Sequence, residues 1–169
     1  ADAVFAVYPF TPQQSISDAI IRAAAVPVFT GIGGGITKGL RSVRLAKDAE
    51  SQGAFGVVLN APTSNRDLKL VATSIDIPVV ITVTSEKSDI RDRLRHGASI
   101  INVAAGERTP DIVRMIDAKY PDVPIIASGG NTPESIRETI RAGANAITYT
   151  PPTTKELFVD VMEQYREKY

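Results

Sequence analysis

Short apolar runs alternate with longer amphipathic segments along the whole chain. The runs are almost continuously apolar, which is typical of strands buried on both faces of a parallel sheet. They predict strands over Val4–Tyr8, Val28–Gly31, Gly56–Asn60, Val79–Val83, Ser99–Val103, Ile125–Ser128 and Ala146–Thr150. The amphipathic segments predict helices over Gln13–Ala24, Lys38–Ser51, Arg66–Ser74, Ser88–Arg95, Pro110–Lys119, Pro133–Arg141 and Thr154–Glu167. Strand–helix alternation with such short connections predicts an α/β fold with a parallel sheet.

An internal repeat narrows the choice of fold. One type of strand follows a Gly-Ala pair, at 53–54, 97–98 and 143–144, and the other follows a hydrophobic residue and proline, at 26–27, 77–78 and 123–124. The two types alternate along the chain, and Gly97 and Gly143 are separated by the same 46 residues as Pro78 and Pro124. Layers supplied by alternate strands are a property of the eight-stranded (β/α)8, or TIM, barrel. An open doubly wound sheet is the alternative, but it does not explain a two-unit repeat.

The alternating pattern begins and ends with the Gly-Ala type of strand, so one strand of an eight-stranded barrel is unaccounted for. We therefore predict a TIM-type barrel with seven βα units as a single domain over residues 1–169, its first strand lying before Ala1. A barrel without that strand has two open edges. Either these edges close on each other as a seven-stranded barrel, or a homo-oligomer covers them.

The composition excludes several classes of function. The 43% hydrophobic and 22% charged residues are typical of a globular domain, and 19 basic residues balance 19 acidic ones, so no global field attracts nucleic acid or an anionic membrane. The absence of cysteine excludes disulfides and thiolate metal sites. No apolar run approaches the roughly 18 residues of a membrane span. We expect a cytoplasmic protein whose anion site, if it has one, is local.

Two of the predicted strand ends are rich in glycine, and in a TIM barrel the active site lies at these ends. Glycine lets the backbone approach a ligand closely, and the start of the next helix offers N–H donors to an anion. Thr132 and Pro133 are typical of such a helix start. An ordinary strand-to-helix turn is the alternative. The predicted phosphate contacts are Gly33, Gly34, Gly35, Lys38, Ser128, Gly129, Gly130, Asn131 and Thr150.

The other strand ends are mostly neutral and polar. Asn60, Thr82, Asn102 and Thr148 are predicted to position a substrate by hydrogen bonds. The catalytic candidates are Glu86, Glu107 and Tyr149, although both glutamates stand near predicted helix starts, where this residue ordinarily complements the helix dipole. No lysine, histidine or carboxylate cluster occupies a strand end, so we expect no Schiff-base lysine, no metal and no cofactor.

The segment from Val26 to Ile36, with Ala127–Gly130 four units later, resembles the phosphate-binding TIM barrels. Within that group it is most similar to the histidine-biosynthesis isomerase and cyclase and to other ribulose-phosphate-binding barrels. The resemblance implies an isomerase or lyase that acts on a phosphorylated metabolite held by both glycine turns. The chain departs from the histidine-pathway enzymes at Thr82-Val83-Thr84, where they need a carboxylate. Pro151 and Pro152 supply no N–H donors beside the second turn.

Three interpretations of function remain open from the sequence. The first is the sugar-phosphate enzyme of the isomerase or lyase type. A second is a barrel that binds a phosphorylated metabolite without converting it, and a third is a purely structural barrel. The sequence also resembles bacterial barrels that are sometimes labelled hydrolase, so a hydrolase stays among the alternatives.

Overall fold

The structure is a computed structural model that describes residues 1–8, 10–130, 132–150 and 154–168. Its strands are β1 Val4–Ala6, β2 Val28–Gly33, β3 Gly56–Leu59, β4 Val79–Val83, β5 Ile100–Val103, β6 Ile125–Ser128 and β7 Ala146–Thr148. Its helices are α1 Gln14–Ala23, α2 Leu40–Ser51, α3 Asn65–Ala72, α4 Ile90–Arg95, α5 Thr109–Lys119, α6 Pro133–Arg141 and α7 Thr154–Lys168, with a 3-10 turn at Gly106–Arg108. Every predicted element is confirmed.

The predicted element ends differ from the observed ones by no more than two residues. The first and last strands end two residues earlier than predicted, so Thr150 lies beyond β7. Strand β2 instead runs two residues further, to Gly33, because its pairing with β3 shifts between Gly31 and Gly33. Because of this irregularity, Gly33 is part of the strand, whereas Gly34 and Gly35 follow it.

The seven strands form one parallel sheet in which each strand pairs with its neighbours in the chain. The sheet curls into a nearly closed barrel, which confirms the TIM-type fold and excludes the doubly wound alternative, whose strand order reverses at a switch point. Strands β1 and β7 are the two edges, and no pairing joins them in the described part of the chain. A strand before Ala1 and an oligomer that covers the edges both stay predictions.

Two apolar clusters lie on the two faces of the sheet. The larger packs the outer face of the strands against the helices and includes Val57, Ile81 and Ile116. The smaller consists of Phe29, Val58 and Val80, with Phe5, Ile100 and Ile126 packed against it inside the barrel. Because side chains alternate along a strand, the residues two positions beyond this inner cluster also face the interior.

Side-chain caps mark the starts of helices α3, α4 and α6. Ser64 accepts a hydrogen bond from the Asp67 N–H at the start of α3, and Asp89 does the same for Asp92 in α4. In α6, Thr132 is the N-cap and Pro133 stands in the first turn, as the sequence predicted, and Thr132 also forms a reciprocal capping box with Ser135. Among the described residues, no helix is both long and apolar enough to cross a membrane.

Candidate functional site

Four of the predicted substrate-positioning and phosphate-binding residues form a polar layer inside the barrel at its C-terminal end. The Asn102 Nδ2 donates to the Thr82 Oγ1 at 3.1 Å, and the hydroxyls of Ser128 and Thr148 lie 3.2 Å apart. Asn102 is only 6% exposed, and its Oδ1 has no hydrogen-bond partner within the described ranges. Strands β4 to β7 therefore present hydroxyl and amide groups to the interior of the mouth.

A cleft of about 380 Å³ opens at the same end of the barrel, over strands β1, β2 and β3. It brings together three predicted residues, Gly33, Gly35 and Asn60, with the aromatic residues Tyr8 and Phe10. Its lining also includes Val7, Thr11, Pro12, Gly31, Ile36 and Thr37. None of these residues carries a charge, so a ligand here meets backbone groups, hydroxyls, an amide and apolar side chains.

The first two glycines of the β2–α2 loop are required by its conformation. Gly33 and Gly34 both have φ near 119°, a region that other residues rarely adopt. A Cβ at Gly33 would lie 2.4 Å from the Thr37 carbonyl oxygen, and one at Gly34 would lie 2.7 Å from the Asn60 nitrogen. The Gly34 N–H donates to the Thr37 carbonyl at 2.9 Å, so this amide is already paired within the loop.

Two carbonyls of the same loop are tied to the start of helix α2. The Ile36 oxygen accepts from the Arg41 guanidinium at 2.7 Å, and the Thr37 oxygen accepts from the Ser42 hydroxyl at 3.2 Å. Because a trans peptide is planar, the N–H of the next residue points the opposite way. The N–H groups of Thr37 and Lys38 therefore point away from Arg41 and Ser42, and neither has a hydrogen-bond partner among the described residues.

Thr37 adds a side-chain donor to these two amides. The residue is 4% exposed, and its Oγ1 has no hydrogen-bond partner in the part of the chain that the structure describes, although a buried hydroxyl is normally paired. Successive unpaired N–H groups in a loop form a concave site with partial positive charge, which suits an anion. Gly35 leaves the loop accessible, since no atom lies within 4 Å of where its Cβ would stand. The loop from Gly33 to Lys38 thus has the donors of an anion site.

The β3–α3 loop is hydrogen-bonded to the Gly33–Lys38 loop and is itself held by Arg93. The Asn60 N–H donates to the Gly33 carbonyl at 2.9 Å. The Arg93 guanidinium donates to the Thr63 carbonyl and to the Asn65 Oδ1, both at 2.7 Å. Burial lowers the pKa of Arg93, and Asp92 partly offsets that effect. Sequence reasoning missed Arg93, because its acceptors lie 30 and 28 residues earlier in the chain and no local pattern links them.

Packing accounts for both glycines of the second turn. Gly129 is buried, and a Cβ there would lie 2.6 Å from the Cγ2 of Ile147 and 3.0 Å from the Cγ1 of Ile136. Gly130 has φ of 77°, and its Cβ would lie 2.5 Å from the Ser135 Oγ. Thr150 is exposed beyond the end of β7. The predicted contact Asn131 and the Pro151-Pro152 pair lie outside the described residues.

The ionisable candidates do not line the cleft. Glu86 is exposed and forms an ion pair with Arg108, which raises the pKa of Arg108. Glu107 is exposed in the 3-10 turn, and Tyr149 is 66% exposed. Lys38 is exposed next to Thr37. Nowhere in the described ranges do three or more histidine, aspartate or glutamate side chains form a group that could hold a metal ion.

Comparison with known proteins gives one relative in sequence and many in fold. No protein-family profile matches the chain. Over 103 residues, or 60% of the chain, it is 31% identical to an inosine-5'-monophosphate dehydrogenase from Chlorobaculum tepidum. The chain spans only 17% of the length of that dehydrogenase.

The similar solved structures are parallel barrels. A 2,3-dimethylmalate lyase of the PEP mutase/isocitrate lyase superfamily superposes with a TM-score of 0.71 at 12% identity, over 99% of this chain and 72% of its own. A protein described as a dihydrodipicolinate synthetase from Pseudomonas aeruginosa gives a TM-score of 0.65 at 19% identity, over 79% of this chain and 51% of its own. At these identities the likeness shows the fold, which is that of a TIM-type barrel.

Proposed function

We propose that this chain binds a small phosphorylated metabolite at the C-terminal mouth of its barrel and acts on it as a lyase or isomerase. The observation that carries the proposal is the Gly33–Lys38 loop. Among the described residues, its N–H groups at Thr37 and Lys38 and its buried Thr37 hydroxyl lack partners, while Gly35 leaves access from the cleft. A phosphate group offers only acceptors at neutral pH, and these three donors would pair with them.

The neutral lining of the cleft is compatible with an anion, because the loop needs no buried cation to hold it. Backbone amides and one hydroxyl supply the positive potential, and the exposed Lys38 would add a screened charge at the rim. The interior layer of Thr82, Asn102, Ser128 and Thr148 would then orient the uncharged part of the substrate. We expect no metal or cofactor to take part.

The comparisons support both the phosphorylated ligand and the lyase activity in the proposal. The name of the dehydrogenase relative specifies a 5'-monophosphate, and one of the barrels with a similar fold is a lyase. The second turn, with Ser128, Gly129, Gly130, Asn131 and Thr150, is proposed as a further phosphate contact. It ranks below the first, because packing against Ile136, Ile147 and Ser135 already explains its two glycines.

A barrel that binds the same ligand without converting it is the second candidate. It is favoured by the strand ends themselves: among the described residues, the last three positions of β1 to β7 carry no aspartate, glutamate, lysine or histidine. General acid–base catalysis needs such a group, or a tyrosine or cysteine, within hydrogen-bond reach of the reacting atom. The catalytic candidates Glu86, Glu107 and Tyr149 therefore stay predictions.

Ligand-dependent melting combined with a turnover assay tests the proposal. Inorganic phosphate and a panel of sugar phosphates, at a hundred times their Kd, should raise the melting temperature by about 5–10 °C. Conversion of any sugar phosphate, followed by phosphorus NMR, would favour the enzyme, and stabilisation without conversion would favour the binder.

The matched variants are Thr37→Val and Thr139→Val. Thr37→Val removes the unpartnered hydroxyl, so it should leave stability unchanged or slightly higher and weaken phosphate binding about ten-fold. Thr139 is equally buried, but its Oγ1 donates to the Ser135 carbonyl at 2.8 Å. Thr139→Val should therefore cost about 1 kcal/mol of stability and leave binding unchanged. Unaltered phosphate binding by Thr37→Val would contradict the proposed site.

A further inference from the structure

The proposed phosphate cleft has a second wall that is apolar and exposed. Phe10 is 55% exposed and Ile36 is 86% exposed, and both line the same cleft as Thr37. Val7, 39% exposed, lies beside them. Single exposed apolar residues are ordinary on a protein surface, but a group of them around one cavity marks a binding surface.

The aromatic part of this wall is held in place before any ligand binds. The rings of Tyr8 and Phe10 pack against each other with centroids 4.4 Å apart and planes tilted by 31°. The Tyr8 hydroxyl accepts a hydrogen bond from the Gln13 N–H at 3.0 Å, at the residue that precedes helix α1. Tyr8 is thereby fixed, and Phe10 rests against it.

The backbone of Ile36, the aliphatic residue of this wall, is also held in place. The hydrogen bond from Arg41 to the Ile36 carbonyl anchors the tip of the loop, while the Ile36 side chain remains in solvent. An inorganic phosphate on the Thr37 and Lys38 amides would leave Ile36 and Phe10 exposed. A ligand that carries an apolar group next to its phosphate would bind these amides with the phosphate and bury the surface of Phe10 and Ile36 with the apolar group.

We propose that the ligand is a phosphate monoester whose organic part includes a flat aromatic or heteroaromatic ring, and that this ring packs on Phe10 and Ile36. The inference rests on the proposed function, since the phosphate on the Gly33–Lys38 loop places the ring. A ring fits this wall better than an open-chain polyol, because aromatic faces pack favourably and the cleft lining has no charged side chain. Asn60 and Thr11 are exposed polar residues of the lining that can bond to ring heteroatoms.

Three probes distinguish the contribution of the phosphate to binding from that of the ring. Calorimetry on the full chain would compare the Kd of inorganic phosphate, glycerol phosphate and phenyl phosphate. Phenyl phosphate should bind about ten-fold more tightly than glycerol phosphate, because only its ring covers the apolar wall. In Phe10→Ala this ratio should fall to about three or less.

Phe158→Ala provides the control, because Phe158 on α7 is an exposed phenylalanine, 65% exposed, that does not line the cleft. It should keep the ten-fold ratio. Equal affinities for phenyl and glycerol phosphate would contradict the proposal that the ligand carries a ring, but they would not contradict the phosphate site. A ratio that survives Phe10→Ala would overturn the placement on this wall. Failure of all three probes to bind would overturn the proposed function together with this inference.

Discussion

The two glycine turns of this barrel have similar sequences and different structures. Both stand where a parallel strand leads into a helix, one at Gly33–Gly35 and the other at Gly129–Gly130. In the first, Gly35 and Thr37 line a cleft, and the N–H groups of Thr37 and Lys38 have no partner among the described residues. In the second, Gly129 fills a gap between Ile136 and Ile147, and Gly130 makes room for the Ser135 cap.

The difference shows that a glycine pair between a strand and a helix has two separate causes. A ligand requires donors that the protein leaves unpaired, whereas packing requires only the absence of a Cβ. A Gly-Gly pair in the sequence reports the missing Cβ in both cases. The state of the surrounding hydrogen bonds, and not the glycine count, distinguishes a candidate anion loop from a tight turn.

The largest effect is expected for Gly34→Ala. Its positive φ and the close approach of the Asn60 backbone leave no room for a Cβ, so stability should fall by about 3 kcal/mol and phosphate binding should be lost. Urea unfolding and calorimetry measure the two effects. Gly35→Ala is the control, because open space surrounds it and its φ is not positive; its stability should change by less than about 0.5 kcal/mol.

Gly129→Ala tests the structural explanation of the second turn. Its Cβ would overlap Ile147, so we expect a loss of about 2 kcal/mol of stability. The Kd for inorganic phosphate should change less than three-fold in the folded protein. If stability stayed unchanged while phosphate binding disappeared, the ranking of the two turns would be reversed.

Arg93→Met probes the support beneath the first turn. The change removes the donor to Thr63 and Asn65, and because Arg93 is only partly buried we expect a cost of about 1 kcal/mol. Phosphate binding should weaken about three-fold as the β3–α3 loop loosens. Arg91→Met, at an exposed position in the same helix, should change neither quantity. Identical behaviour of the two variants would show that Arg93 does not support the turn.

The smallest effect is expected for Lys38→Gln. Lys38 is exposed, so its charge is screened, and its loss should weaken phosphate binding about two-fold at low salt. The difference should vanish at about 1 M salt, where the Debye length is about 3 Å. Arg44→Gln, an exposed cation on helix α2, should have no effect. A ten-fold loss in Lys38→Gln would mean that the lysine, and not the loop amides, dominates the anion site.

Much of the fold was predictable, because its signals are local and repeated. Each buried strand is an apolar run, helix α6 begins with Thr132 and Pro133, and the Gly-Ala and Xaa-Pro positions alternate along the chain. Strand ends were less predictable. The extension of β2 to Gly33 depends on its shifted pairing with β3, which no residue of β2 encodes alone.

The candidate site was predictable in kind but not in detail. Glycine content pointed to both turns equally, because the sequence reports which residues lack a side chain and not which hydrogen bonds they make. The support from Arg93 depends on acceptors 30 and 28 residues earlier in the chain. The pairing of the Gly34 amide with the Thr37 carbonyl depends on the loop conformation, which the glycine pattern does not report.

By itself, the sequence determined a parallel α/β barrel with glycine turns at its mouth, since apolar periodicity, helix caps and glycine conformations act over a few residues. Tertiary structure alone decided between the turns of Gly33–Gly35 and Gly129–Gly130. The physical reason is that a buried donor is free or paired according to its neighbours in space. Arg41, Ser42 and Asn60 arrange the first loop, while Ile136, Ser135 and Ile147 fill the second.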